Sequence, residues 1–253
     1  MDLHTVTALR VARSREDLAL GPGEALLAGG TWLFSEPQPH TTALVDLAAM
    51  GWAPWEVLPG ALRIGATCTI EQVVDAPWGG AAGLVRQCAD SFLMSSKVQH
   101  VATVGGNLCL ALPAAAMVSL TAGLGGSVVL WTPGGGERRE PVATFVRGPG
   151  RTSLRRGEVV RAVDVPAASL DAPTAFRRIG LTAMGRASVV VVGCGRTVTI
   201  TAATERPVVL EVSDLEAGLA AIDCWYDDPH GAADWRAAVA SRFAREVAQE
   251  LTA

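Results

Sequence analysis

The chain has 253 residues, 49% of them apolar and 18% charged, and its formal net charge is −4. That length supports a sizeable core with two domains or three small ones, and the composition excludes a disordered chain. A mildly acidic balance argues against nucleic acid or an anionic membrane as partner, and the most basic stretch, 147–161, reads as a solvated loop.

Residues 6–11 read as a strand, and Ser14 with Asp17 signals a short helix through Leu20. Gly21-Pro22-Gly23 is a turn before a buried strand, 25–28, that runs into Gly29-Gly30. This β-α-β unit puts its glycines at the carboxyl end of the second strand, where α/β layers take ligands, although no G-x-G-x-x-G follows a strand. Residues 43–47 form a further strand, and 51–59 read as a connection. After a strand at 62–65, Thr69 and Gln72 predict a capping box for a brief helix through Asp75. Leu84, Val85, Cys88 and Phe92 recur at helical spacing, which predicts a helix over 80–92.

Beyond a second Gly-Gly turn at 105–106, Pro113 suits a helix first turn, followed by Met117, Leu120 and Leu124 and stopped by Gly125-Gly126. Residues 127–131 and 141–145 pair as a hairpin across the Gly-rich loop 133–136, which joins strands and opens no helix. A strand at 158–165 precedes a boundary at 166–173. Residues 176–179, 188–194, 198–202 and 207–212 are strand candidates, with 189–192 fitting a buried helix equally well. Ser213 or Asp214 caps 215–222, and Trp235, Val239, Phe243, Val247 and Leu251 predict a terminal amphipathic helix packed on the core.

The five cysteines (Cys68, Cys88, Cys109, Cys194, Cys224) are scattered with no C-x-x-C spacing, so neither an iron–sulfur cluster nor a metal site is expected on this chain. The N-terminal residues carry no apolar targeting segment and no stretch reaches membrane-spanning length, which makes the cytoplasm the expected location.

The chemistry concentrates in two stretches of one form, Leu27-Ala28-Gly29-Gly30-Thr31 and Ala102-Thr103-Val104-Gly105-Gly106-Asn107. Without Cβ atoms, main-chain N–H groups can close on phosphate oxygens, and the adjacent hydroxyl or amide side chains donate more. Either turn alone serves equally as a tight connection; two in this order suit a pyrophosphate.

Five stretches in collinear order, spanning nearly the whole chain, resemble the medium, FAD-binding subunit of the molybdenum hydroxylases, the xanthine dehydrogenase and carbon monoxide dehydrogenase family. They are LLAGGTWL (26–33), LRIGATCTIEQV (62–73), ATVGGNLCLALPAAAM (102–117), FVRGPGRTSLRRGEVVRAVDVP (145–166) and DPHGAADWRAAVASRFAREV (228–247). The resemblance implies an α+β protein. Two α/β lobes (1–54 and 55–170) form a PCMH-like FAD-binding domain, followed by a small C-terminal α+β domain (171–253) like that of CO dehydrogenase flavoproteins.

It also implies non-covalent FAD, with the molybdopterin on a large partner subunit and [2Fe-2S] clusters on a small one, in a hetero-oligomer. Electrons would pass from those clusters through the flavin to an acceptor such as NAD or oxygen. Because the flavin carries the redox chemistry, no side chain is nominated as catalytic. Carried over by position, Ala28, Gly29, Gly30, Thr31 and Leu33 hold the diphosphate and its neighbours at the first turn, with Trp32 beside them. Thr103, Gly105, Gly106 and Asn107 do so at the second. Cys109 and Ala115 fall where relatives line the ribityl and ring pocket, and Arg177 where some relatives place a Lys near the flavin.

Several positions depart from the family pattern: Leu181, Thr182, Met184 and Gly185 stand where charged residues are common, and Tyr226, the one tyrosine, leaves no stacking tyrosine evident at the flavin. Ala116 replaces an acidic residue, and Trp32 replaces a small or polar one. These changes keep open a fold-retaining scaffold or assembly protein without flavin; a stand-alone flavoenzyme is the other alternative.

Overall fold

The computed structural model describes residues 3–91 and 94–253. Its N-terminal lobe is a sheet of three short strands, β1 (Ala8–Val11), β2 (Glu24–Leu27) and β3 (Ala43–Asp46), all parallel in the order β1-β3-β2. Between β1 and β2 stands a single 3-10 turn (Glu16–Leu18), shorter than the helix its capping signal suggests. The reason is local: the Asp17 carboxylate accepts the N–H groups of Arg13 and Ser14, both at 2.8 Å, so it closes the loop ahead of the turn. Arg10 of β1 reaches across to Glu24 of β2 (2.7 Å) and also donates to the carbonyls of Asp17 and Ala19. One guanidinium thus pins both strands and the loop that joins them.

The central lobe contains β4 (Trp55–Leu58), β5 (Ala61–Gly65), β6 (Ser127–Trp131), β7 (Glu137–Pro141), the ribbon β8 (Val146–Gly148) and β9 (Arg151–Thr152), and β10 (Val159–Pro166). Five of these make an antiparallel sheet in the order β4-β5-β10-β6-β7. The stretch read as a connection at 51–59 therefore holds an edge strand, where Trp55 and Val57 follow a proline that an edge tolerates. The hairpin across the Gly-rich loop forms, but its second strand is β7, and the residues expected in strand form the helical turn α6 introduced below.

Helices α1 (Ile70–Val74), α2 (Ala82–Ser91), α3 (Ser96–Gln99), α4 (Val104–Leu110), α5 (Ala116–Gly123), α6 (Val142–Phe145) and α7 (Ala167–Leu170) complete this lobe. The capping box on α1 is present in both directions, with Gln72 N–H donating to Thr69 Oγ1 at 3.2 Å and Thr69 N–H to Gln72 Oε1 at 3.0 Å. Leu84, Val85 and Cys88 line the buried face of α2; Phe92, expected on the same face, lies outside the described residues. Helix α5 begins at Ala116 rather than at Pro113, which stands in the turn ahead of it.

The two lobes meet over an aromatic and cationic stack. Trp52 and Trp131 pack edge to face at 5.4 Å, Arg161 lies 4.8 Å from the Trp52 ring, and Arg15 lies 4.6 Å from the Trp131 ring. Arg15 also donates to the carbonyls of Thr132 and Gly136, which fastens the first lobe to the β6–β7 loop.

Strands β11 (Thr174–Ile179), β12 (Val189–Cys194), β13 (Thr197–Thr201) and β14 (Val208–Glu211) form an antiparallel meander, with α8 (Leu215–Ala220) and α9 (Ala233–Thr252) on one face. Its other face lies on α5 and α2. Every residue of β12 is buried, which explains why 189–192 carries no alternation: a strand covered on both faces is apolar at every position. Gly123 permits this close approach, since a Cβ there would stand 2.4 Å from Val192 Cγ1. Ser119 and Thr201 exchange a buried hydrogen bond at 2.6 Å across the same seam. Among the described residues no helix is long and apolar enough to cross a membrane.

Two outcomes follow from this packing. Gly123→Val drives a branched side chain into Val192 and should cost about 1–3 kcal/mol, measured as a lower denaturant midpoint. The Arg10 guanidinium, helped by the Gly21 N–H, holds the Glu24 carboxyl down at about 2, below its ordinary 4.5. Its ion pair therefore contributes fully above pH 4.5 and fades as pH falls toward 2. The melting-temperature gap between wild type and Glu24→Gln should be widest near neutrality and close across that window.

Candidate functional site

The first corner begins where β2 ends, at the carboxyl edge of the parallel sheet. Gly29 lies main chain to main chain against the other lobe, for a Cβ on it would stand 1.8 Å from the carbonyl oxygen of Val101. Gly30 takes a positive φ of 68°, and the Phe34 ring covers the place where its Cβ would be. A tight turn follows, closed by the Phe34 N–H on the Gly30 carbonyl and the Ser35 N–H on the Trp32 carbonyl, both 2.9 Å. Within this turn the N–H groups of Gly29, Gly30, Thr31, Trp32 and Leu33 have no hydrogen-bond partner among the described residues. Five consecutive free main-chain donors beside two glycines make an anion cradle.

The second corner is built differently. Thr103 caps α4, its Oγ1 accepting the Gly106 N–H at 3.1 Å. The Val104 N–H donates to the Cys68 carbonyl (2.9 Å), that of Gly105 to Ala66 (2.8 Å) and that of Asn107 to Thr103 (2.9 Å). Every main-chain donor of the first turn of α4 is thus spent inside the protein. The expectation that these glycines offer amides to a phosphate does not hold here. Gly105 instead lets α4 dock on the loop after β5, since a Cβ would stand 2.7 Å from the Ala66 methyl.

Side chains are what the second corner presents. The Thr103 hydroxyl keeps its own hydrogen to donate. Asn107 accepts the Met117 N–H on Oδ1 at 2.9 Å, which caps the start of α5 and leaves its NH2 group without a partner among the described residues. The two corners adjoin, because the Val101 carbonyl touched by Gly29 lies two residues before Thr103.

Of the other sequence candidates, Ala28 packs on the core shared by the two lobes, Leu33 is half-buried in the first turn, and Cys109 is exposed on α4. Ala115 is buried immediately before α5, with its carbonyl accepting Ser119. Arg177 stands apart from both corners. Its guanidinium donates to Glu246 (3.3 Å) and Glu250 (2.9 Å) on α9 and to the Phe176 carbonyl, with which all three nitrogens are engaged. It shares a face of β11 with Ala175 and Ile179, which pack toward α9, whereas Phe176 packs toward the core of the central lobe.

Sequence reasoning passes over Arg178, which by the same alternation lies on the face opposite Arg177. Its Nη2 is held by the Gly185 carbonyl and its Nε is buried with no partner among the described residues. It also passes over Ala66 and Val101, whose carbonyls seat the two glycine pairs and which no motif marks.

Residues 4–168 match the family model described as the FAD binding domain in molybdopterin dehydrogenase. The xanthine dehydrogenase FAD-binding subunit of Escherichia coli O157:H7 is 29% identical over 154 residues, covering 59% of this chain and 52% of that protein. The chain thus spans about half the length of the curated relatives it matches. Among solved structures, a chain of carbon monoxide dehydrogenase from Hydrogenophaga pseudoflava superimposes with a TM-score of 0.83 at 20% identity, covering 97% of each chain. One of quinoline 2-oxidoreductase from Pseudomonas putida 86 gives 0.79 at 21% identity, covering 96% of each. At those identities the likeness is one of fold, and the fold is the expected α+β arrangement of two lobes and a C-terminal sheet. The match over residues 4–168 shows that the chain belongs to the family of FAD binding domains of molybdopterin dehydrogenases, with FAD as its cofactor.

Proposed function

We propose that this chain is the electron-transferring FAD subunit of a cytoplasmic molybdenum hydroxylase complex, the flavin lying between residues 1–54 and 55–170, with 171–253 as a C-terminal domain beside them. The observation that carries this reading is the run of five unpartnered main-chain N–H groups from Gly29 to Leu33, set directly against the approach to Thr103. Bound there, FAD supplies a carrier between iron–sulfur clusters on a small partner subunit, fed in turn by a molybdopterin large subunit, and an acceptor such as NAD or oxygen.

This chain's own residues bind and orient. The amides of the first turn, with the Thr31 hydroxyl beside them, hold the diphosphate, while the Thr103 hydroxyl and the Asn107 NH2 group donate from the second corner. Cys109 and Ala115 line the neighbouring wall. No acid or base is needed. Arg177 has no part in this arrangement, its charge being balanced by Glu246 and Glu250. The flavin-free scaffold reading draws on Ala116 and on Trp32 as a plug; the second ground is weakened by Trp32 being 40% exposed on the turn.

The purified full chain should show oxidised-flavin absorbance and release FAD on heating. A colourless chain that takes up no FAD on reconstitution overturns the proposal. Gly29→Ala forces the first corner off the Val101 carbonyl and should weaken FAD binding at least about tenfold. Asn107→Asp keeps the acceptor for the Met117 N–H but exchanges a donor for a negative charge. Loss of a hydrogen bond to a charged group, about 1.5–3 kcal/mol, should weaken FAD about 10- to 100-fold with little change in the melting point of the apoprotein.

A further inference from the structure

The turn that holds the free amides also holds two aromatic rings at the surface. Trp32 is 40% and Phe34 45% exposed, in a chain where only 5% of residues are aromatic. Three other tryptophans are spoken for. Trp78 is 1% exposed with its indole N–H on the Val73 carbonyl, and Trp52 and Trp131 pack on each other and on two arginines. Trp32 has no aromatic, cationic or indole N–H partner among the described residues.

Its backbone is nonetheless fixed. The Trp32 carbonyl accepts both the N–H and the Oγ–H of Ser35, each at 2.9 Å, and Phe34 is locked over Gly30. Val101, exposed beside Gly29, extends the apolar rim to the second lobe. A solvent-facing indole on a fixed backbone, inside the run of free amides, suits a ligand whose two ends are planar ring systems. Tryptophan is seldom left uncovered, because its large apolar face gains from stacking.

We infer that Trp32 is a stacking platform for a planar ring of the dinucleotide, with Phe34 and Gly30 as the wedge that sets its angle. This rests on the FAD reading above and adds to it the ring recognition. The indole belongs to binding rather than to a block of the site: Gly29 already fills the space against Val101, and Trp32 lies outside that contact.

The test compares wild type, Trp32→Phe and Trp32→Leu as full-length protein, titrated with FAD and with FMN, which lacks the adenine, and followed by flavin fluorescence. Stacking predicts about tenfold weaker FAD binding for Trp32→Leu and at most about threefold for Trp32→Phe, with apoprotein melting points unchanged. Equal loss for FMN, with recovered flavin fluorescence, assigns the stacked ring as the isoalloxazine. Loss for FAD alone assigns it as the adenine. Wild-type binding of FAD with Trp32→Leu unaffected overturns this inference and leaves the FAD reading standing. A wild type that takes up neither flavin overturns both.

Discussion

Gly29 rests on the carbonyl group of Val101 with no side chain between them, and the arrangement of the two corners follows from that contact. It sets the carboxyl end of the parallel sheet directly against the chain that leads into α4, so that donors from two lobes converge without a spacer. A methyl group at Gly29 would meet the carbonyl oxygen itself, a neighbour that cannot rotate away. Gly105 performs the same service one layer deeper, letting α4 settle on Ala66. The two glycine pairs look alike in sequence but differ in use: the first leaves its amides without a partner among the described residues, and the second spends its amides holding the lobe together.

That division was not legible in the sequence. The motifs marked both corners and their order, because glycine pairs next to hydroxyl or amide residues stand out locally. What the motifs could not show is that the acceptors for the Val104 and Gly105 N–H groups lie at 68 and 66, nearly forty residues upstream and folded back by the strand before them. Arg177 illustrates a similar limit. Period-two alternation says that Arg177 and Arg178 face opposite ways, yet only the positions of α9 and α5 decide which of them meets a helix full of carboxylates. The valine run of β12 defeated periodicity altogether, since helices cover both of its faces, and β4 hid behind tryptophans and a proline that resemble a loop.

Polar groups near the cleft mostly serve two ends at once. Asn107 caps α5 through its oxygen while turning its NH2 outward, and Thr103 caps α4 while retaining a proton to give. Such double use ties the geometry of the site to the stability of the two helices that frame it. The lobes are braced elsewhere by the Trp52–Trp131 pair and its flanking arginines, which fixes their separation independently of any ligand.

Helix α5 carries a last consequence. All eight of its residues are buried, and its side chains show no polar stripe, so it has no surface of its own to offer water. One flank lies on α2 and α4, the other on β12 and β13 through Gly123, Ser119 and the Ala202 N–H that donates to the Pro113 carbonyl. Severed after residue 170, the chain would leave that second flank bare, an apolar strip along the middle of the lobe that frames the cleft. The C-terminal meander thus completes the burial of a helix that the lobe ahead of it cannot cover by itself.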